Sequence, residues 1–117
     1  MDQSFWHALD VLISTSNIII DRPKGTSHPK FKNFVYPVDY GYLEGTSSMD
    51  GGGIDVWVGT SSDKRLDAII CIVDLLKKDS EIKLLIGCTE DERNLIYKTH
   101  NNTEFMKGIM IKRNTHE

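Results

Sequence analysis

The sequence predicts a mainly β fold with two helices (α+β), arranged as a small β-barrel that carries the helices at its ends. Short β-branched and aromatic runs recur at close spacing, clusters of glycine, proline and aspartate separate them, and helical periodicity is confined to two stretches. With 117 residues the chain has room for one domain with one modest core, spanning residues 1–117, and too little for two.

Phe5, Leu9, Leu12 and Ile13 repeat at helical spacing over residues 4–14, with Ser4 placed to cap the first turn. Residues 17–21, NIIID, are a β-branched run that stops at Pro23 and predict a buried strand. Residues 22–33 read as a loop: Pro23, Gly25 and Pro29 punctuate it, and Arg22, Lys24, His28, Lys30 and Lys32 make it basic. Residues 34–36 and 40–43 are aromatic and extended. In residues 54–58, IDVWV, Ile54, Val56 and Val58 alternate with Asp55 and Trp57, which places a carboxylate on the second face of a strand. Residues 66–76 and 81–86 flank the polar turn KKDS and predict a hairpin. Thr89 and Glu92 form a T-x-x-E capping box that opens a second helix, carrying Leu95, Ile96 and His100 and ending near Asn101 and Asn102. Residues 105–111 supply a last strand.

Composition narrows the function classes. Hydrophobic residues at 39% and charged residues at 26% argue against a disordered or fibrous chain. A net charge of −3 with no basic block argues against a duplex nucleic-acid surface, which needs clustered Lys and Arg to displace counterions. The apolar runs are too short for a membrane span, and the first residues lack the basic-then-apolar order of a secretory signal, so a soluble, cytoplasmic protein is expected. Cys71 and Cys88 lie in apolar runs without a CxxC pattern and are expected as buried thiols. The apolar run at 66–76 can serve as core or as the face of a homo-oligomer.

The segment that begins YPVDYGYLEG at Tyr36 runs into SMDGGGIDV, where Asp50 and Asp55 bracket Gly51, Gly52 and Gly53. Carboxylates on a tight turn suit a hard divalent cation, because Mg²⁺ takes oxygen ligands and keeps several waters. The same Asp-Gly-Gly-Gly also makes a flexible hairpin connection, since glycine tolerates positive φ. His7, His100 and His116 show no ligand spacing.

The pieces IIIDRPKG, VYPVDYGYLEGTSSMDGGGIDV and DLLKKDSEIKLLIG, in this order and separation, resemble the soluble inorganic pyrophosphatases built on an OB-like barrel, as a shortened and divergent member. In that family a Tyr-Pro-x-x-Tyr-Gly-Tyr segment precedes an Asp-Gly-Asp-Pro-x-Asp signature. The resemblance covers about residues 17–87 and implies an Mg²⁺-dependent (alternatively Mn²⁺-dependent) attack of water on pyrophosphate, in which cations neutralise the phosphates and lower the pKa of a bound water. It implies Asp50 and Asp55 as catalytic metal ligands and Glu81 as a further ligand. Asp79, from the neighbouring turn, joins this set by proximity. Lys83, Tyr40 and Tyr36 are implied on the substrate side. Glu81 and Lys83 share one strand face by period two. Arg22 and Lys24, beside Asp21 at a strand end, are candidates for the phosphate.

Gly52 stands where the family's middle aspartate helps activate the attacking water, and Gly53 replaces the proline. General-base assistance contributes about 10²–10⁴ in rate. Three readings therefore follow from the sequence: a pyrophosphatase, a metal-dependent hydrolase of another phosphoanhydride or phosphate ester, and a barrel that binds phosphate or a partner without turnover.

Overall fold

The computed structural model describes residues 3–48 and 51–114. Its elements, in chain order, are α1 (Gln3–Ser14), β1 (Asn17–Arg22), β2 (Asp39–Glu44), β3 (Ile54–Val58), β4 (Leu66–Asp74), β5 (Asp79–Ile86), α2 (Glu90–Thr99) and β6 (Met106–Lys112). The strands form one sheet in the order β1-β2-β3-β5-β4-β6. Neighbours are antiparallel except β3 and β5, which run parallel with Val56 opposite Leu84. The mainly β fold with two helices is as expected from the sequence. The expected barrel is not formed: among the described residues the sheet stays open, because β1 pairs only with β2 and β6 only with β4, leaving both as edges.

Strand alternation gives the sheet two apolar faces. Val56, Ile69, Leu84 and Ile86 pack with Trp6 on one side, where Leu9, Leu12 and Ile13 of α1 cover them. Trp57, Ala68, Ile70, Ile72 and Leu85 pack with Tyr36, Val38 and Ile96 of α2 on the other. The assignment of Ile54, Val56 and Val58 to one face and of Trp57 to the opposite one thus holds.

The buried stripe of α1 differs by one position from the sequence pattern. Trp6 is 1% exposed, whereas Phe5 is 36% exposed. The larger ring wins the core position, and the Arg113 guanidinium lies 5.7 Å from its centroid while pairing bidentately with Asp10 at 2.8 and 2.9 Å. Removing a buried indole of this kind costs about 3–5 kcal/mol. Ser4 lies inside the helix, one residue past its first position, and not at its cap.

Two further segments depart from expectation for local reasons. Residues 34–36 form no strand; Val35 makes a single bridge to Ser27, and the loop closes on itself through His28 N–H to Phe34 O and Tyr36 N–H to Thr26 O. The β4–β5 turn begins two residues early, because the Asp74 carboxylate accepts the N–H groups of Leu76 and Lys77, each at 3.0 Å. Lys78 takes φ 57 in that turn, and Asp79 consequently starts β5. The capping box of α2 is formed in full, with Thr89 and Glu92 each bonding the other's backbone N–H.

Candidate functional site

Gly41 explains why the two tyrosines of the Tyr-Gly-Tyr segment sit where they do. A Cβ at Gly41 would lie 1.8 Å from the Ile19 carbonyl oxygen, so only glycine lets β2 approach β1 beside the irregularity between Ile20 and Arg22. Tyr40 is thereby fixed on the face of the sheet that carries Trp57, its register partner on β3.

On this face Tyr40, Asp55, Glu81 and Lys83 converge from three strands. The Lys83 ammonium donates to Asp55 Oδ2 at 2.8 Å and to Tyr40 Oη at 2.5 Å, and pairs with Glu81 Oε1 at 2.8 Å. Tyr40 Oη in turn donates to Asp55 Oδ2 at 2.7 Å. Parallel pairing of β3 with β5 sets Asp55 beside Lys83, and period two sets Glu81 beside Lys83 on its own strand.

Lys83 is only 6% exposed. Burial opposes its charge, yet the facing Tyr40, Asp55 and Glu81 outweigh that penalty and hold the ammonium above its ordinary pKa. Burial also raises the Tyr40 phenol well above its ordinary value, so Tyr40 stays protonated and serves as a donor.

These side chains form the floor of a cleft of about 520 Å³. Arg22 and Asp21 from β1, Asp79 at the start of β5 and Lys77 from the turn line it too. Its side wall is aromatic: Tyr36 stacks on Tyr40 at 5.4 Å between centroids, and Tyr40 meets Trp57 at 4.5 Å. Behind Trp57 lies buried His100, whose Nε2 accepts the indole N–H at 3.3 Å and therefore carries no proton. Burial, with the Lys83 charge in the same direction, lowers the His100 pKa to about 4.

Of the residues singled out in the sequence, Asp55, Glu81, Lys83, Tyr40, Tyr36, Arg22 and Asp79 all line this cleft. Lys24 does not; its backbone N–H bonds Asp39 Oδ1 at 2.8 Å, which ties the loop to the start of β2. Asp50 lies outside the described residues. Sequence reasoning missed His28, Phe31 and Phe34 as wall residues. Their spacing, aromatic at 28, 31, 34 and 36 within a loop, was the available signal.

Mg²⁺ is commonly held by one or two carboxylates together with substrate phosphates, not by an all-protein cage. Among the described residues no group of three or more His, Cys, Asp or Glu is placed to hold a metal ion. Asp55 and Glu81 nevertheless present hard oxygens to one point, where they already hold the Lys83 cation, and their described bonds fall on Oδ2 and Oε1 alone. This donor set fits a cation that arrives with a phosphate ligand.

No protein-family model matches the chain, and no curated protein matches it. Among solved structures, the chain is similar to an inorganic pyrophosphatase from Coxiella burnetii, with a TM-score of 0.57 and 16% identity over 85% of each chain. That likeness is one of fold: the protein has a pyrophosphatase-like α+β fold. Among the described residues no helix is long and apolar enough to cross a membrane.

Proposed function

We propose that the chain is a divergent pyrophosphatase-like hydrolase, in which water attacks a phosphoanhydride bond at the cleft floor with Mg²⁺, or Mn²⁺, as the metal. Pyrophosphate is the reference substrate, giving two phosphates. The observation that carries this reading is the meeting of Asp55, Glu81, Lys83 and Tyr40 at one point, on a fold shared with a pyrophosphatase.

Asp55 and Glu81 would hold the metal; Asp79 lines the same cleft, and Asp50, a further candidate ligand, lies outside the described residues. When bound, a divalent cation neutralises phosphate charge and lowers the pKa of a coordinated water. Lys83 supplies a fixed positive charge toward the developing negative charge of the transferred phosphoryl group, within a floor that excludes most water. Tyr40 keeps its proton and holds the Asp55 carboxylate in place through a 2.7 Å bond. Arg22 stands at the cleft margin for a second phosphate, Tyr36 backs Tyr40, and Lys24 acts only through the loop.

A second reading, binding without turnover, is favoured by Gly52, which offers no carboxylate as proton acceptor. Phosphate release from pyrophosphate, tripolyphosphate and nucleoside triphosphates at varied Mg²⁺ separates the two. Metal-dependent release lost in Asp55→Asn supports hydrolysis; silence on every substrate, with binding retained, leaves the binding reading.

A further inference from the structure

The cleft is larger and more aromatic than a small inorganic anion needs. A diphosphate engages only cations and donors at the floor, yet the loop between β1 and β2 raises a wall of rings above that floor. His28 meets Phe31 at 5.1 Å, Phe34 at 6.3 Å and Tyr36 at 6.3 Å between centroids, the last pair within 15° of parallel. Tyr36 stacks on Tyr40, and Tyr40 faces the Lys83 ammonium at 5.0 Å, so the rings run without a break from the loop tip to the charged floor.

The wall is built in advance. His28 Nδ1 accepts the backbone N–H groups of Lys30 and Phe31 at 3.0 and 3.2 Å, and backbone bonds from Gly25 to Tyr36 O and from His28 to Phe34 O close the loop. Phe31 lines the cleft and is still 65% exposed, a large ring held toward the cavity with one side in water. An exposed ring at the mouth of a cleft, already in contact with His28, suits stacking by a planar group. The floor lies deeper, where phosphates would meet Lys83. Carboxylates outnumber cations along the lining, so a polyanion enters favourably only with a divalent counter-cation.

Building on the phosphate reading above, we propose that the ligand is a nucleoside polyphosphate bound as its magnesium complex, with the base stacked on Phe31 and the phosphates at Lys83. The probes are ATP, tripolyphosphate and adenosine, each titrated calorimetrically into the full chain with and without Mg²⁺. ATP and tripolyphosphate carry similar phosphate charge, so their difference isolates the nucleoside, and the Phe31 variants isolate its stacking. Mg–ATP is expected to bind about tenfold tighter than Mg–tripolyphosphate. Phe31→Ala, at an exposed position that does not threaten folding, removes that advantage and leaves tripolyphosphate affinity within about twofold. Phe31→Trp retains it. Equal affinity for ATP and tripolyphosphate, or an advantage that survives Phe31→Ala, overturns the nucleotide assignment while the phosphate reading stands. Failure of both phosphate compounds to bind overturns the two together, whether or not adenosine binds.

Discussion

Tyr40 donates its hydroxyl proton to Asp55 across 2.7 Å although the two are not register partners: Tyr40 faces Trp57, and Asp55 faces Tyr42. The bond is a diagonal one between same-face residues two places apart, within reach of a long aromatic side chain. It converts an ordinary β2–β3 pairing into a clamp on one carboxylate oxygen, and Lys83 then bonds both members of the clamp.

Lys83 holds the position between two carboxylates that a metal would contest. Lys83→Met is therefore expected to strengthen Mn²⁺ binding in the absence of phosphate, by about threefold to tenfold, and to weaken tripolyphosphate binding by at least tenfold. Calorimetric titration of each ligand measures both effects. A variant that binds Mn²⁺ no better than the wild type would show that Asp55 and Glu81 do not form the metal seat.

Gly52 bears on turnover. Gly52→Asp restores a carboxylate at the place where the pyrophosphatase resemblance calls for a proton acceptor, and phosphate release from pyrophosphate is expected to rise at least tenfold. Unchanged release from a folded variant would count against the alignment of the glycine turn with that signature.

His100 makes stability depend on pH. Its pKa is about 4 in the folded protein, against an ordinary 6.5, because burial disfavours the imidazolium. The unfolded chain thus binds more protons between pH 6.5 and 4, and stability present above pH 6.5 is lost as pH falls through that window. The full loss is up to about 3 kcal/mol. Urea midpoints measured from pH 7 to 4 should fall for wild type and fall less for His100→Gln. Parallel curves would remove His100 as the cause.

Gly41→Ala should disrupt the β1–β2 pairing outright. The added methyl meets backbone, not a movable side chain, so a loss of about 3 kcal/mol or more is expected, read as a lowered Tm with weakened phosphate binding. An alanine variant of native stability would be inconsistent with the close approach of these strands.

Much of this arrangement is written locally and is readable as such. Strand alternation in IDVWV and the Glu81–Lys83 spacing set the faces correctly, and the capping box placed α2. What the sequence does not display is which strands meet. Parallel pairing of β3 with β5, with β4 inserted on the far side of β5, brings Asp55 to Lys83, and no local pattern encodes that crossover. The early β4–β5 turn depended on two backbone N–H bonds accepted by the Asp74 carboxylate, which compete successfully with the apolar pattern at Leu75 and Leu76, leaving Leu76 73% exposed. The loop looked basic in sequence, because Arg22, Lys24, His28, Lys30 and Lys32 crowd residues 22–33 around a single phenylalanine; folding brings Phe31, Phe34 and Tyr36 together along the cleft.

The account rests on Asp55 as a ligand of a metal–phosphate complex, and calorimetric titration of Mg–tripolyphosphate into wild type and Asp55→Asn tests it most directly. Saturable, Mg²⁺-dependent binding by the wild type, reduced at least a hundredfold in an Asp55→Asn protein with an unchanged circular dichroism spectrum, is the predicted result. Equal binding by the two proteins would contradict it.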